Sequence, residues 1–406
     1  MAETGIRRDA LAGIRIADFT WAASGPLATM YLALLGAEVI KIESAKSLDI
    51  ARRGYYTLVK DIDASPNFND MMLNKMSLRL NLAHPKAQAL ARRLVQQSDA
   101  TVENFRPGIM AKFGLSYEDL RPLRPDIVML SSSTAGQVGP ERDLVGYATT
   151  FGAMGGLGHG TGYEDGPATE VWDSVDMRLG TSIALALLMA LYHRRRTGQG
   201  QHIDFSSREV ISANLGDVFM DYFMNGRVQG RQGNRDEIMA PHNCYPCLGD
   251  DQWISIAVAS DDEWGALCRV AGHPEWNVDP RFLDKYARWR NQEVLDGLLA
   301  EWTRGHAAEA LTTRLQQAGV AAMLSMDVVQ SRNDPHLQER GLFFEVEHPK
   351  LGITHPLRPP WILSETPAKA TRYGPHFGQH EEYVLGDILG VTRRELDALR
   401  ADGALE

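Results

Sequence analysis

The sequence predicts an α/β protein made of a large Rossmann-like open-sheet domain and a smaller α+β domain. Three observations carry that prediction. At 406 residues the chain exceeds a single ordinary core, so two domains are expected. Residues 14–43 read as strand, short helix, strand, a βαβ unit that starts a parallel sheet. A polar, turn-like stretch, GRVQGRQGNRDEIM (226–239), then marks a boundary, after which the pattern changes. The large domain is expected to comprise residues 1–228 and 330–406, and the small domain residues 229–329.

In chain order, IRIADFT (14–20) is a strand, and residues 26–35 form a helix with Pro26 in its first turn. Gly36 ends that helix and EVIKIE (38–43) is the next strand. The turn between them, Trp21-Ala22-Ala23-Ser24-Gly25-Pro26, lies where open α/β sheets place their ligands. It lacks G-x-G-x-x-G, so tight loop and ligand site are equal readings. A helix from His84-Pro85 to 97 and a strand at 100–104 follow, the strand ending in Asn104-Phe105-Arg106-Pro107-Gly108. Ser116 is a helix N-cap with Asp119 at N3, and DIVMLSSS (126–133) is a strand. Residues 134–166 are glycine-rich without a following Lys-Ser/Thr, which excludes a P-loop and favours a mobile active-site loop over a plain connection.

Two aspartates, Asp173 and Asp176, then precede a long apolar helix expected to begin near Leu179 and to close at His193-Arg194-Arg195-Arg196. A carboxylate ahead of a helix stays ionised and can cap, bind a cation or act as a nucleophile, capping being the first reading. The apolar run is about half the ~20 residues of a membrane span. Being apolar on all sides, the helix belongs inside the protein. A strand at 201–205 and a helix at 206–224 complete this part. In the small domain a strand at 253–259 leads into helices at 261–270, 291–304 and 307–318. Beyond residue 334 the chain is strand and turn, ending in a helical segment at 392–400.

A net charge of −10 argues against nucleic acid and against an anionic membrane surface as partners. Three cysteines, Cys244, Cys247 and Cys268, cannot build a disulfide framework and fit a reducing cytoplasm. The lone C-x-x-C reads as packing beside a strand rather than a zinc or redox site. MAETGIRRDALAG at the N-terminus lacks the apolar core of a signal peptide. His376 and His380 are four apart, but Pro375 and Gly378 make them loop histidines, and no metal is expected. Arg52, Arg53, Lys75, Arg79, Arg106 and Lys112 make the first third locally basic; solvation, or a phosphate-bearing small ligand, would explain them.

Six motifs, in this order and spacing, resemble the family III CoA-transferases, the group that includes formyl-CoA transferase, carnitine CoA-transferase and related acyl-CoA racemases. They are ASGPLATMYLALLGAEVIKIE, NKMSLRLNL, VENFRPGIMAKFGL, HRRRTGQGQHID, GNRDEIMAPHNCYPC and NDPHLQERG, within a span from Leu11 to about Gly386. The family's nucleophilic aspartate precedes a glycine by four positions, which matches Asp176 before Gly180; Asp173 sits three residues too early. The resemblance implies aspartyl anhydride and aspartyl-CoA thioester intermediates, with amide donors of the glycine-rich loop stabilising the oxyanions. It implies CoA contacts at Ala22, Ala23, Ser24, Leu80, Asn104, Phe105, Arg106, Lys112, Phe113 and Tyr147. The CoA thioester would be a substrate, with no permanently bound cofactor.

The chain also departs from the pattern. Ser44 stands where formyl-CoA transferase has an arginine near the adenine, leaving Lys46, Arg52 or Arg53 to substitute. Ala148 replaces a glutamate, and no glycine run occurs around residue 230, which argues against oxalate-like substrates. Tyr147 falls on the racemases' histidine; with an ordinary pKa of about 10, tyrosine is a poor base, so transfer is favoured over racemisation. The resemblance further implies ring-shaped chains in interlocked dimers, as a homodimer or a heteromer with a paralogous subunit. It points to succinyl-CoA as donor and an aromatic dicarboxylate such as benzylsuccinate as acceptor. An α-methylacyl-CoA racemase and a non-catalytic CoA-binding subunit are the alternatives.

Overall fold

A computed structural model describes residues 9–54 and 60–406, so the N-terminal segment read above for a signal peptide lies largely outside the described residues. The fold is built on a six-stranded sheet, β1 (Arg15–Asp18), β2 (Glu38–Glu43), β3 (Met76–Arg79), β4 (Ala100–Glu103), β5 (Val128–Ser133) and β6 (Gln201–Ser206). All pairs are parallel and the spatial order is β3-β2-β1-β4-β5-β6, the doubly wound arrangement. In that order the chain reverses direction between β1 and β4, which opens a crevice at the carboxyl ends of those two strands.

Helices cover both faces: α1 (Ser24–Leu34), α2 (Ile50–Arg53), α3 (Pro66–Met71), α4 (Pro85–Gln96), α5 (Ile109–Lys112), α6 (Tyr117–Leu120), α7 (Ala148–Gly155), α8 (Leu157–Gly160), α9 (Trp172–Thr197), α10 (Ser207–Ala213) and α11 (Gly216–Asn225). Successive strand residues point to opposite faces, and both faces are apolar. Ala17, Ile40 and Leu78 pack with Leu90 and Leu94 of α4 on one side. Ile16, Val39 and Val102 pack with Leu32 of α1 and Leu179, Ile183 and Leu187 of α9 on the other.

The chain divides into two compact units. The first comprises residues 1–158, 170–226 and 339–406 and holds the parallel sheet. The second comprises residues 159–169 and 227–338, so it adds a short earlier segment to the run expected as 229–329. Its antiparallel sheet orders β7 (His242–Pro246), β8 (Trp253–Ala257) and β9 (Ala321–Leu324) side by side. Helices at Asp261–Ala271, Gln292–Thr303 and Ala308–Gln317 bury Trp264, Leu299 and Leu311 with Ile254 and Ile256 of that sheet.

Five local expectations are corrected. α9 begins at Trp172, so Asp173 and Asp176 stand within its first turns and neither precedes it; its N-cap is Val171, without a side-chain cap. α9 is also not buried all round: Val175, Leu179, Ile183 and Leu187 are fully buried, while Leu185, Met189 and Tyr192 face outward. Ser174–Thr197 is long and apolar enough, by length and composition, to cross a membrane, more than the half-span run suggested. Its buried face is instead part of the core. Finally, the glycine-rich stretch is partly helical. α7 runs through it because glycine lets it pack closely: a Cβ at Gly155 would come within 2.6 Å of Ile211 on α10. The single helix expected at 206–224 is two, since Asn214 caps α10 before α11 begins at Gly216.

Candidate active site

The loop after β1 is fixed from below by buried charge. Asp18 accepts from Thr20 (N 2.9 Å, Oγ1 2.5 Å), from Thr29 Oγ1 at 2.7 Å and from Lys75 Nζ at 3.0 Å. Lys41 Nζ donates to Thr20 O at 2.6 Å and pairs with Asp49 at 2.8 Å, and Asp49 accepts from Ala22 N at 3.1 Å. Burial pushes the Asp18 carboxyl up, but Lys75, Lys41 and the two threonines outweigh it and hold it below the ordinary carboxylate value. Burial pushes Lys75 down to about 8 against the pull of Asp18. The result is a backbone held so firmly that Ala22 takes a left-handed φ of 65°, a conformation costly for a residue with a Cβ.

From the neighbouring switch-point strand comes the second wall. Asn104 clamps the first loop, accepting from Trp21 N at 2.7 Å and donating to Trp21 O at 2.8 Å. Phe105 meets Trp21 edge to face with centroids 5.5 Å apart. These loops border a cavity of about 1440 Å³. Ala22, Ala23, Ser24, Leu80, Asn104, Phe105, Arg106, Phe113, Tyr147 and Asp176 all line it, although they are spread over 155 positions from 22 to 176. Lys112, on α5, is exposed and is not among the lining residues.

Asp176 reaches this cavity because of Gly180. A Cβ on Gly180 would stand 2.8 Å from Leu27 Cδ2 and 3.0 Å from Ser24 O, so only glycine lets α9 approach α1 this closely. Residues four apart share one helix face, so the carboxyl of Asp176 is set one turn away, beside the start of α1. Asp176 is half-buried. Gly146 to Thr149, the residues that lead into and open α7, line the same cavity and bring a helix N-terminus to it.

The basic residues sort differently from the sequence expectation. Arg52 is fully buried, bonded twice to Glu43 at 2.8 Å and to Asp63 at 3.0 Å; it braces the sheet and cannot replace the missing arginine at Ser44. Lys75 serves the Asp18 network, and Arg79 pairs with Glu381. Lys46 lines the cavity and pairs with Glu406 at 2.9 Å, while Arg53 is exposed. His380 is no free loop histidine: its Nδ1 accepts from Ser77 N at 3.2 Å, and burial pushes it down to about 4. Sequence reasoning missed a further part of the cavity, formed by Tyr31, Asp70, Leu357 and Pro360. Asp70, exposed toward the cavity, is kept above the ordinary carboxylate value by desolvation among the groups around it, against an amide bond from Leu357. No local signal joins residue 70 to residue 357; only the fold does.

The sequence pattern of CoA-transferase family III matches residues 11–381. The succinyl-CoA–D-citramalate CoA-transferase of Chloroflexus aurantiacus is 34% identical over 389 residues, covering 96% of each chain. The beta subunit of the succinyl-CoA–L-malate CoA-transferase of the same organism is 30% identical over 396 residues, covering 96% of this chain and 97% of that one. The crystal structure of a CAIB/BAIF family protein from Brucella suis matches with a TM-score of 0.86 and 28% identity, over 94% of this chain and all of that one.

Proposed function

Because this chain belongs to CoA-transferase family III, we propose that it moves CoA from a donor thioester to an acceptor carboxylic acid with Asp176 as the covalent nucleophile. The observation that carries this reading is the mounting of Asp176: one turn from Gly180, in the wall of the cavity shared by residues 22–24 and 104–105. One oxygen of Asp176 attacks the thioester carbonyl. The C–S bond breaks, CoA leaves as thiolate with the bonding pair, and a mixed anhydride remains. The thiolate then attacks the aspartyl carbonyl of that anhydride and expels the donor acid as carboxylate, leaving an aspartyl-CoA thioester. The acceptor carboxylate attacks this thioester, and the released thiolate attacks the acceptor's acyl carbon, restoring Asp176. No proton is consumed, and the energy of the thioester is conserved at each step. In this reading the amides at the start of α7 stabilise the oxyanions.

Succinyl-CoA is the donor this reading favours, supported by the two relatives named for it. Those relatives act on D-citramalate and L-malate, so small hydroxylated dicarboxylates stand beside benzylsuccinate as acceptors to test. The racemase alternative is disfavoured by Tyr147 at the position of a histidine base. Two copies of the chain are proposed to pair, and the three free cysteines fit work in a reducing compartment. The test combines succinyl-CoA with a panel of carboxylic acids and mass detection of new thioesters. Hydroxylamine added after the donor should convert Asp176 to a hydroxamate. Asp176→Ala should lower turnover by at least about a thousandfold; unchanged CoA exchange in that variant would refute the assignment.

A further inference from the structure

The cavity has an arm beyond the loops proposed for CoA. Leu27, Met30 and Tyr31 stand three and four positions apart on one face of α1, and all three line the cavity. Leu27 is also the side chain that meets α9 at Gly180, so the arm opens beside Asp176. Tyr31 lies further along α1 than Ser24, by on the order of 10 Å of helix axis. Its ring meets Trp361 edge to face with centroids 5.3 Å apart, which brings the returning chain to the arm. Asp70 of α3, with Leu357, Arg358 and Pro360 of that returning chain, completes the lining, all within the large unit.

Arg358 carries a charge that this chain does not neutralise. Its Nε donates to the Gly341 carbonyl at 2.8 Å and its Nη2 to the Arg340 carbonyl at 2.9 Å. Its Nη1 donates to the carbonyls of Pro359 at 2.7 Å and Trp361 at 3.2 Å. Carbonyls fix the half-buried guanidinium in place but leave its charge whole, and one of its N–H groups is still unused. Among the described residues no carboxylate pairs with it, whereas Arg52 and Arg79 pair with Glu43 and Glu381. The other cations among the described lining residues are accounted for. Lys46 pairs with Glu406, and Arg106 sits in the loop proposed for CoA.

We infer that the arm is the acyl pocket for a dicarboxylic acid: one carboxylate reacts at Asp176 while Arg358 and the Tyr31 hydroxyl hold the other. This rests on Asp176 being the nucleophile proposed above. A guanidinium already fixed by its carbonyls loses little freedom on meeting an anion, and N–H bonds to a carboxylate are the strong ones. Leu27, Met30 and Leu357 give the stretch between the two ends apolar walls, which suit the methylenes of such an acid. Asp70 is the acid of this arm, since Glu43 is held by Arg52. Its carboxyl keeps a proton more readily than an ordinary one, and in that form it donates to the second carboxylate instead of repelling it. A monocarboxylic acid leaves Arg358 unmet. Arg358 is thus a specificity residue, acting on the end of the acid that does not react.

The test supplies succinyl-CoA and compares acceptors from succinate to suberate with their monomethyl esters, which keep the chain and lose the second charge. In the wild type the best diacid should exceed its ester in kcat/KM by about ten- to a hundredfold, the worth of a bond to a charged group. Arg358→Gln should bring that ratio close to one through KM for the diacid, with kcat and the ester unchanged. Arg358→Lys, which keeps the charge, should restore part of it. Tyr31→Phe, which removes a single hydroxyl, should lower the ratio by about three- to tenfold. Calorimetry should show CoA affinity unchanged in every variant. A wild-type ratio near one would overturn the inference and leave transfer standing. So would a ratio unmoved in Arg358→Gln or, should that variant not fold, in Tyr31→Phe. Loss of CoA affinity in Arg358→Gln would overturn it too, by placing that residue in the CoA site. No transfer to any acid or ester of the series would instead remove the transferase reading on which the arm depends.

Discussion

Arg52 shows why a cation near a cavity is not a ligand contact by default. Its guanidinium lies 3.6 Å from the Phe68 centroid and is bonded to Glu43, Asp63 and the Pro375 carbonyl, with no exposure. Replacing it with methionine leaves Glu43 buried without its partner, and loss of one member of a buried pair costs about 3–5 kcal/mol. Urea denaturation of Arg52→Met should show that loss, with CoA affinity of the folded protein unchanged. Glu103, buried at the end of β4, gives the opposite sign. Burial raises its folded pKa to about 7, above its ordinary 4.5, so the fold binds the proton more tightly than the unfolded chain. Stability should therefore fall as pH rises from about 4.5 to about 7 and stay level above that. Glu103→Gln should remove this fall and be more stable at pH 8 by on the order of 3 kcal/mol. Denaturation midpoints at pH 5 and pH 8 check it; an equal slope in both proteins would refute the burial cause.

At the scale of elements, the α1–α9 contact decides whether Asp176 can work. Gly180→Ala would force Leu27 and the Ser24 carbonyl away from α9, an overpacking that costs about 1–3 kcal/mol. A displacement near 1 Å can cost about a hundredfold in rate. Gly180→Ala should therefore lower kcat by about a hundredfold in protein that is still folded, measurable by pairing steady-state kinetics with denaturation. Five of the six strands of the parallel sheet, all but β3, and several helices were legible because local patterns determine them: the short β-branched run of β2, Pro26 in the first turn of α1, Ser116 with Asp119 before α6. The true start of α9 was not, because Trp172–Arg178 lacks apolar periodicity and no side chain caps it. Nor was α7, whose glycines read as loop until Ile211 supplies the packing that explains them. Of the site, the D-x-x-x-G spacing was visible, but its reason, a close helix crossing, and the Tyr31–Asp70–Leu357 region needed the fold.

For the whole molecule, the large unit leaves apolar surface that water does not favour. α11 has no buried residue, yet Phe223 is 73% and Met224 74% exposed. A ten-residue helix with no packed face is not stable alone in water. On α9, Leu185, Met189 and Tyr192 form a stripe at helical spacing, with Met189 63% exposed. Two such faces on one unit require a cover, and contiguous exposed apolar surface marks an interaction site. A second copy of the chain supplies the same faces in return, as a two-fold interface demands. Light scattering should therefore give twice the chain mass for the purified protein. Charge placed in the interface, in the double variant Met189→Glu and Phe223→Asp, should give monomers with weakened helicity. If the wild-type chain alone stays monomeric, the homodimer is refuted. The cover would then have to come from a paralogous subunit, the arrangement implied by the beta-subunit name of the malate relative. Co-purification with such a subunit would then restore both mass and turnover.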